Sequence, residues 1–213
     1  MIRTKTFTKK LLNLQEHIVE KIKHAEVLLI GCSAGGFNLV FDLVLQLPAN
    51  YPLTVIIVIH RSKKFKSSLE ELLNRKAKVP VRLVQDKEPI KKGYVYFATS
   101  DYHLLIEPDH IFSLDFSDPV LFCRPSIDIT FKSAADIFGE KVISILLSGA
   151  NEDGADGTYF IGKKGGLTVV QDPASAEVST MPQAAINRGE VDLVLNNSDI
   201  FELVTDIPAI LNR

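Results

Sequence analysis

Short runs of mostly apolar residues alternate along this chain with longer stretches in which apolar positions recur every three or four residues. The runs at 27–30, 53–59, 142–147, 167–170 and 191–195 are predominantly apolar, with at most one polar residue each and no regular polar alternation, which suits strands covered on both faces of a parallel sheet. Residues 81–84 read as a further strand. Helical spacing marks 8–23, where Leu11, Leu14, Ile18 and Ile22 share a face, and also 37–47, 65–74, 182–188 and 199–211. Ser126 is placed to cap a helix that runs through residue 138 and closes at Gly139. Between 86 and 122 the pattern shortens. Segments 94–97, 103–106 and 111–114, parted by polar turns, read as hairpin strands inserted in the main sheet or lying along its edge. The expected fold is α/β, a doubly wound, mainly parallel sheet with helices on both faces and a small antiparallel hairpin insertion. Residues 1–25 form a helical extension, packed on the outside or docking a partner, and 26–213 form one domain.

Charge and cysteine content narrow the classes. With 24 basic and 26 acidic residues the formal net charge is −2, so no overall field favours nucleic acid or an anionic membrane. Two cysteines, Cys32 and Cys123, are expected as unbridged thiols in a reducing compartment. The first 25 residues lack the apolar core of a signal peptide, and no apolar run reaches membrane-spanning length. A cytoplasmic protein is expected.

The candidate chemistry begins where the first apolar run stops. Gly31-Cys32-Ser33-Ala34-Gly35 fits the G-x-S-x-G pattern, in which small neighbours let a serine stand at the apex of a strand-to-helix turn. Two other readings compete: a phosphate cradle built from backbone N–H groups, and glycines that only allow close packing. A dinucleotide fingerprint fits poorly, because Ser33 stands where glycine is wanted and the next strand ends in His60-Arg61 rather than an acidic residue. His60 lies at a strand's C-terminal end, where ligands gather in open parallel sheets. A third run empties into residues 148–157, with Glu152, Asp153 and Asp156. That loop reads as a cation site, a histidine-positioning carboxylate or a plain turn; the alternating register of a calcium loop is missing. Serine, imidazole and carboxylate are thus supplied at sites that can converge for acyl transfer.

Taken together, Gly31-Cys32-Ser33-Ala34-Gly35-Gly36, Val58-Ile59-His60 and the segment from Leu147 through Asp153-Gly154-Ala155-Asp156-Gly157 resemble the catalytic domain of the chemotaxis protein-glutamate methylesterases, the CheB family. Arg124-Pro125-Ser126-Ile127-Asp128, Gln171-Asp172 and Met181-Pro182-Gln183-Ala184-Ala185-Ile186 extend the resemblance, which covers the chain from Val27 onward. It implies Ser33 as nucleophile, His60 as general base and acid, Asp153 as the group orienting His60, and backbone N–H groups of Ala34 and Ala150 as oxyanion donors. No metal or organic cofactor is implied. The implied reaction is hydrolysis of glutamate γ-methyl esters on the cytoplasmic region of a chemoreceptor, releasing methanol, with deamidation of receptor glutamines open to the same chemistry.

The chain also departs from the family pattern. Ala34 and Ala150 stand where threonine and methionine are usual, Arg61-Ser62-Lys63-Lys64 is unusually basic, and Thr99-Ser100-Asp101-Tyr102 lacks the usual proline and glycines. His103 matches a family histidine and is given no catalytic role. Residues 1–25 are too few for the receiver domain that members commonly carry, so activity is expected to be ungated or controlled by a regulator in trans. Two rival functions remain on this scaffold: an esterase or amidase for another substrate, and an inactive module that binds a phosphorylated ligand.

Overall fold

The computed structural model describes residues 16–60 and 69–212. Its centre is a sheet of seven parallel strands. In chain order they are β1 (Val27–Cys32), β2 (Thr54–Ile59), β3 (Val81–Leu83), β4 (Val95–Phe97), β7 (Val142–Leu146), β8 (Leu167–Gln171) and β9 (Leu193–Leu195); β5 (His103–Glu107) and β6 (Ile111–Asp115) form a separate antiparallel hairpin. In space the sheet runs β3-β4-β2-β1-β7-β8-β9. The chain leaves β1 towards β2 on one side and returns beside it as β7 on the other, so strand order reverses at β1, the place where open α/β sheets form a crevice beyond their carboxyl ends.

Alternation within the continuous apolar runs sorts side chains onto two faces. Leu28 and Ile30 of β1 join Val55 and Ile57 of β2 in one core layer, while Val27, Leu29, Ile56 and Val58 enter the opposite layer. The first layer is covered by α1 (Glu16–His24), α2 (Phe37–Gln46) and α7 (Asn197–Leu211), with α3 (Leu69–Lys76) beside β3. The second is covered by α4 (Ile127–Phe138), α5 (Ala155–Lys163), α6 (Thr180–Arg188) and the hairpin. This is the doubly wound sheet expected from the sequence.

Two elements differ from the sequence reading. Residues 94–97 do not belong to the hairpin insertion: Val95, Tyr96 and Phe97 are fully buried, and β4 pairs in parallel with both β2 and β3. No helix separates β3 from β4, so the sequence lacked the usual mark of a parallel crossover. The second difference is α5, assigned to no element from the sequence. It opens on Ala-Asp-Gly-Thr, carries two glycines and has no side-chain cap, so its pattern resembles a turn. Gly157 serves close packing there, since a Cβ at that position would lie 2.5 Å from the Cβ of Phe131 on α4.

The described part of the N-terminal helix is α1, and residues 8–15, with Leu11 and Leu14, lie outside the described residues. Ile18 and Ile22 are buried in the same layer as α7, and Lys21 Nζ donates to Asp192 and to the carbonyl of Gly166. This segment therefore packs on the domain. Ile22→Ala should lower the unfolding free energy by about 2–5 kcal/mol, the range for emptying a filled aliphatic site, as read from urea melts; a loss below about 1 kcal/mol would mean that α1 contributes little to the core.

Candidate active site

The turn after β1 is held by backbone bonds. Ser33 N donates to Ser148 O at 2.9 Å, and Gly36 N donates to Ser33 O at 3.2 Å. Gly35 sits at φ 79°, a left-handed conformation favouring glycine, and a Cβ there would fall 2.7 Å from Ser148 Oγ. Ser148 is the buried hub of this rim. Its hydroxyl donates to Ala34 O at 2.7 Å and accepts from Val178 N at 2.8 Å, while its own N–H donates to Gln171 Oε1. The turn carrying Ser33 is thereby tied to the loop carrying Ala150. Both alanines are exposed, and among the described residues neither N–H donates to a backbone carbonyl outside helices and strands.

Strand register brings His60 beside Ser33. Cys32 pairs with Ile59, and His60 N donates to Cys32 O at 3.2 Å, so the two residues leave neighbouring strand ends together. Among the described residues no hydrogen bond joins the Ser33 hydroxyl to the imidazole. The ring instead has Asp153 on one edge and Cys123 on the other: Nε2 lies 2.7 Å from Asp153 Oδ2, and Nδ1 lies 3.3 Å from Cys123 Sγ.

Of the three acidic candidates in the 148–157 loop, only Asp153 is buried, with 0 % exposure. Its carboxylate sits on the N-terminus of α4, where unpaired backbone donors and the helix dipole favour negative charge. Ile127 N donates to Oδ2 at 2.7 Å; Asp128 N and the Ser126 hydroxyl donate to Oδ1 at 3.0 and 2.8 Å. With His60 that makes four donors on two oxygens. Burial pushes the Asp153 carboxyl up, but the His60 hydrogen bond and the two N–H groups outweigh it and hold its pKa below the ordinary value. Glu152 is exposed, and Asp156 is engaged with Arg188 at 2.7 Å and Lys132 at 3.5 Å.

An ionised Asp153 fixes the proton of neutral His60 on Nε2, which leaves Nδ1 as the basic nitrogen. Burial favours the neutral ring, yet the hydrogen bonds and charges of Asp153 and Cys123 together raise His60 to about 9. The folded value exceeds the ordinary 6.5, so this interaction's stability is complete below about pH 6.5 and lost as pH rises through about 9. Base catalysis runs the other way, since only the neutral ring takes a proton. Hydrolysis should climb about tenfold per pH unit from pH 6 and level off near pH 9, as measured by the rate of ester cleavage. A flat profile across pH 6–9 would show that proton uptake by His60 is not part of the rate-limiting chemistry.

His60, Cys123 and Asp153 also offer metal-ligand atoms within 4.8 Å of one another. Both Asp153 oxygens, however, are already taken by donors. One ion cannot meet all three without breaking that cradle, and the donor set suits proton handling better.

Sequence reasoning missed four contributors. Ser126 was read only as a cap, which it is, accepting from Ile129 N, but it also donates to Asp153. His103 accepts from Ser126 N on Nδ1 and faces Asp118 O through Nε2, so it braces that cap. Asp128, buried, accepts from Gly154 N and Gly157 N and fixes the start of α5; burial is the main reason its carboxyl is raised to about 6. Cys123 was read as an unbridged thiol, which it is, with no hint that it meets His60.

Known proteins are similar to this chain in sequence and fold. The CheB methylesterase family profile matches residues 28–204. A Leptospira interrogans relative is 40% identical over 178 residues, covering 84% of this chain and 92% of that one. Relatives from Symbiobacterium thermophilum (32% identical, 84% of this chain) and Thermotoga maritima (32% identical, 91% of this chain) are named protein-glutamate methylesterase/protein-glutamine glutaminase. This chain spans about half of their lengths, 49% and 56%. The crystal structure of the Thermotoga maritima CheB methylesterase catalytic domain superposes with a TM-score of 0.81 at 31% identity, covering 86% of this chain and 98% of that one. A switch-point serine turn, an adjacent histidine and a buried aspartate thus sit on a fold shared along nearly the whole solved domain, and the chain belongs to the CheB methylesterase family.

Proposed function

We propose that this chain is a serine hydrolase that demethylates glutamate γ-methyl esters on the cytoplasmic region of a chemoreceptor, releasing methanol, and deamidates receptor glutamines by the same route. The observation that carries the reading is the His60–Asp153 pair at 2.7 Å, beside the Ser33 turn, in a chain whose relatives bear those two activities in their names.

Ser33 Oγ attacks the ester carbonyl carbon while His60 Nδ1 takes the hydroxyl proton, and Asp153 stabilises the resulting imidazolium through Nε2. The oxyanion is met by the N–H groups of Ala34 and Ala150, on two loops that Ser148 ties together. His60 then returns the proton to the departing methoxide, and water activated by the same nitrogen releases the carboxylate from Ser33. Residues 26–213 carry this activity without cofactor, and a regulator acting in trans would be met at α1 (Glu16–His24). Among the described residues no helix is long and apolar enough to cross a membrane.

The test is methanol release from methylated receptor membranes, by the native protein and by Ser33→Ala, with small methyl esters and unmethylated membranes as references. Release by the native protein alone, faster on receptor than on small esters, supports the proposal. Turnover of small esters without methanol from receptors would move the assignment to an esterase of other specificity.

A further inference from the structure

The least explained feature of the site is the thiol on the edge of His60 that the proposed reaction needs. Cys123 Sγ lies 3.3 Å from Nδ1 and accepts from Asn151 Nδ2 at 3.2 Å, so an imidazole and an amide N–H both converge on the sulfur. The imidazole is held from behind by Asp153 at 2.7 Å. A nucleophile in reach of a base that is itself oriented by a third group is the arrangement of an activated thiol.

The surroundings leave room for a reagent. Cys123 is half-buried, whereas Cys32, the other cysteine, has 0 % exposure. Cys123 ends a tight turn closed by Val120 N to Cys123 O and Cys123 N to Val120 O, with Leu121 and Phe122 at φ 48° and 64°. Val120 and Leu121 of this turn, and Glu152 next to Asn151, also border a cavity of 660 Å³ between α4, α5 and α6. One contact opposes activation: Sγ is 3.4 Å from Leu121 O, a carbonyl that would keep the thiol proton.

We propose that Cys123 is a covalent modification site at which a low-molecular-weight disulfide exchanges with the thiol and so disables His60. In the exchange the Cys123 thiolate attacks one sulfur of the reagent. A new S–S bond forms to Cys123 as the reagent's own S–S bond breaks, the departing thiolate takes the proton from His60, and the Cys123 sulfur is oxidised as the leaving sulfur is reduced. The mixed disulfide then stands against Nδ1 and blocks proton transfer at that nitrogen. Thiol reductant restores the starting state.

Modification is read by mass, independently of any hydrolase assay, so its failure is distinct from a failure of the methylesterase reading. The native protein is treated with glutathione disulfide at pH 6.5, alongside His60→Gln and Cys123→Ser, with folding of each variant checked by circular dichroism. The expected result is one reversible adduct, on Cys123, forming at least tenfold faster in the native protein than in His60→Gln and absent in Cys123→Ser. Should His60→Gln fail to fold, His60→Asn takes its place in the same comparison, with the same tenfold difference expected. An equal rate in native protein and His60→Gln, or labelling of Cys32 in preference to Cys123, overturns the proposal.

Discussion

Ser33→Ala is expected to lower methanol release from methylated receptor by about 10⁴-fold or more, with the fold intact. Removing the nucleophile of a serine hydrolase has effects of that order, because the remaining oxyanion donors and binding contacts cannot replace covalent catalysis. The structural cost should be small. The bonds that hold residue 33 in its turn are backbone bonds, Ser33 N to Ser148 O and Gly36 N to Ser33 O, and alanine keeps both. The unfolding midpoint in urea should therefore move little while activity collapses, a separation that a merely structural serine would not give. Residual turnover above about 1% of the native rate would exclude Ser33 as nucleophile. If that residue of activity disappeared on alkylating Cys123, the second nucleophile beside Nδ1 would be carrying it.

How much of this site could be read from the residues depends on distance along the chain. Ser33 and His60 were legible because each ends a continuous apolar run, and adjacent parallel strands bring such ends together at one rim. The 148–157 loop was legible as a third arrival, but composition left Glu152, Asp153 and Asp156 equivalent. Only the family resemblance chose Asp153, and its physical ground is burial on the first turn of α4, which no local pattern encodes. Cys123 lies 63 residues from His60 and reaches it through a turn with two left-handed non-glycine residues, a geometry that the sequence Leu-Phe conceals. The fold showed the same division. Long periodic stretches gave their elements away, whereas β4, three residues long, and α5, glycine-bearing and uncapped by a side chain, take their identity from what packs on them.

Asp153→Asn separates the two duties of that residue, and both should suffer. The asparagine amide places N–H groups where the carboxylate accepts from His60 Nε2, Ile127 N, Asp128 N and the Ser126 hydroxyl. In either amide orientation at least one buried donor then faces another donor, a mismatch that costs about 1–3 kcal/mol in urea melts at pH 7. Because native Asp153 titrates below its unfolded value, the stabilisation from its ionisation is present above about pH 3.9 and fades as pH falls through the lowered native value. The stability difference between variant and native protein should accordingly shrink towards acid pH. Catalysis should fall by about 10³–10⁴-fold, the scale seen when a serine hydrolase loses the carboxylate that sets its histidine's tautomer. With that partner gone the imidazole drops from about 9 towards 6.5, so the remaining rate should level off at lower pH than in the native protein. Ser126→Ala is the control: it removes one of the four donors and the cap on Ile129 N, leaves the charge in place, and should cost stability of about 1–3 kcal/mol with a far smaller loss of rate. A variant Asp153→Asn with near-native rate and an unshifted pH profile would leave the carboxylate as a cap for α4 and nothing more.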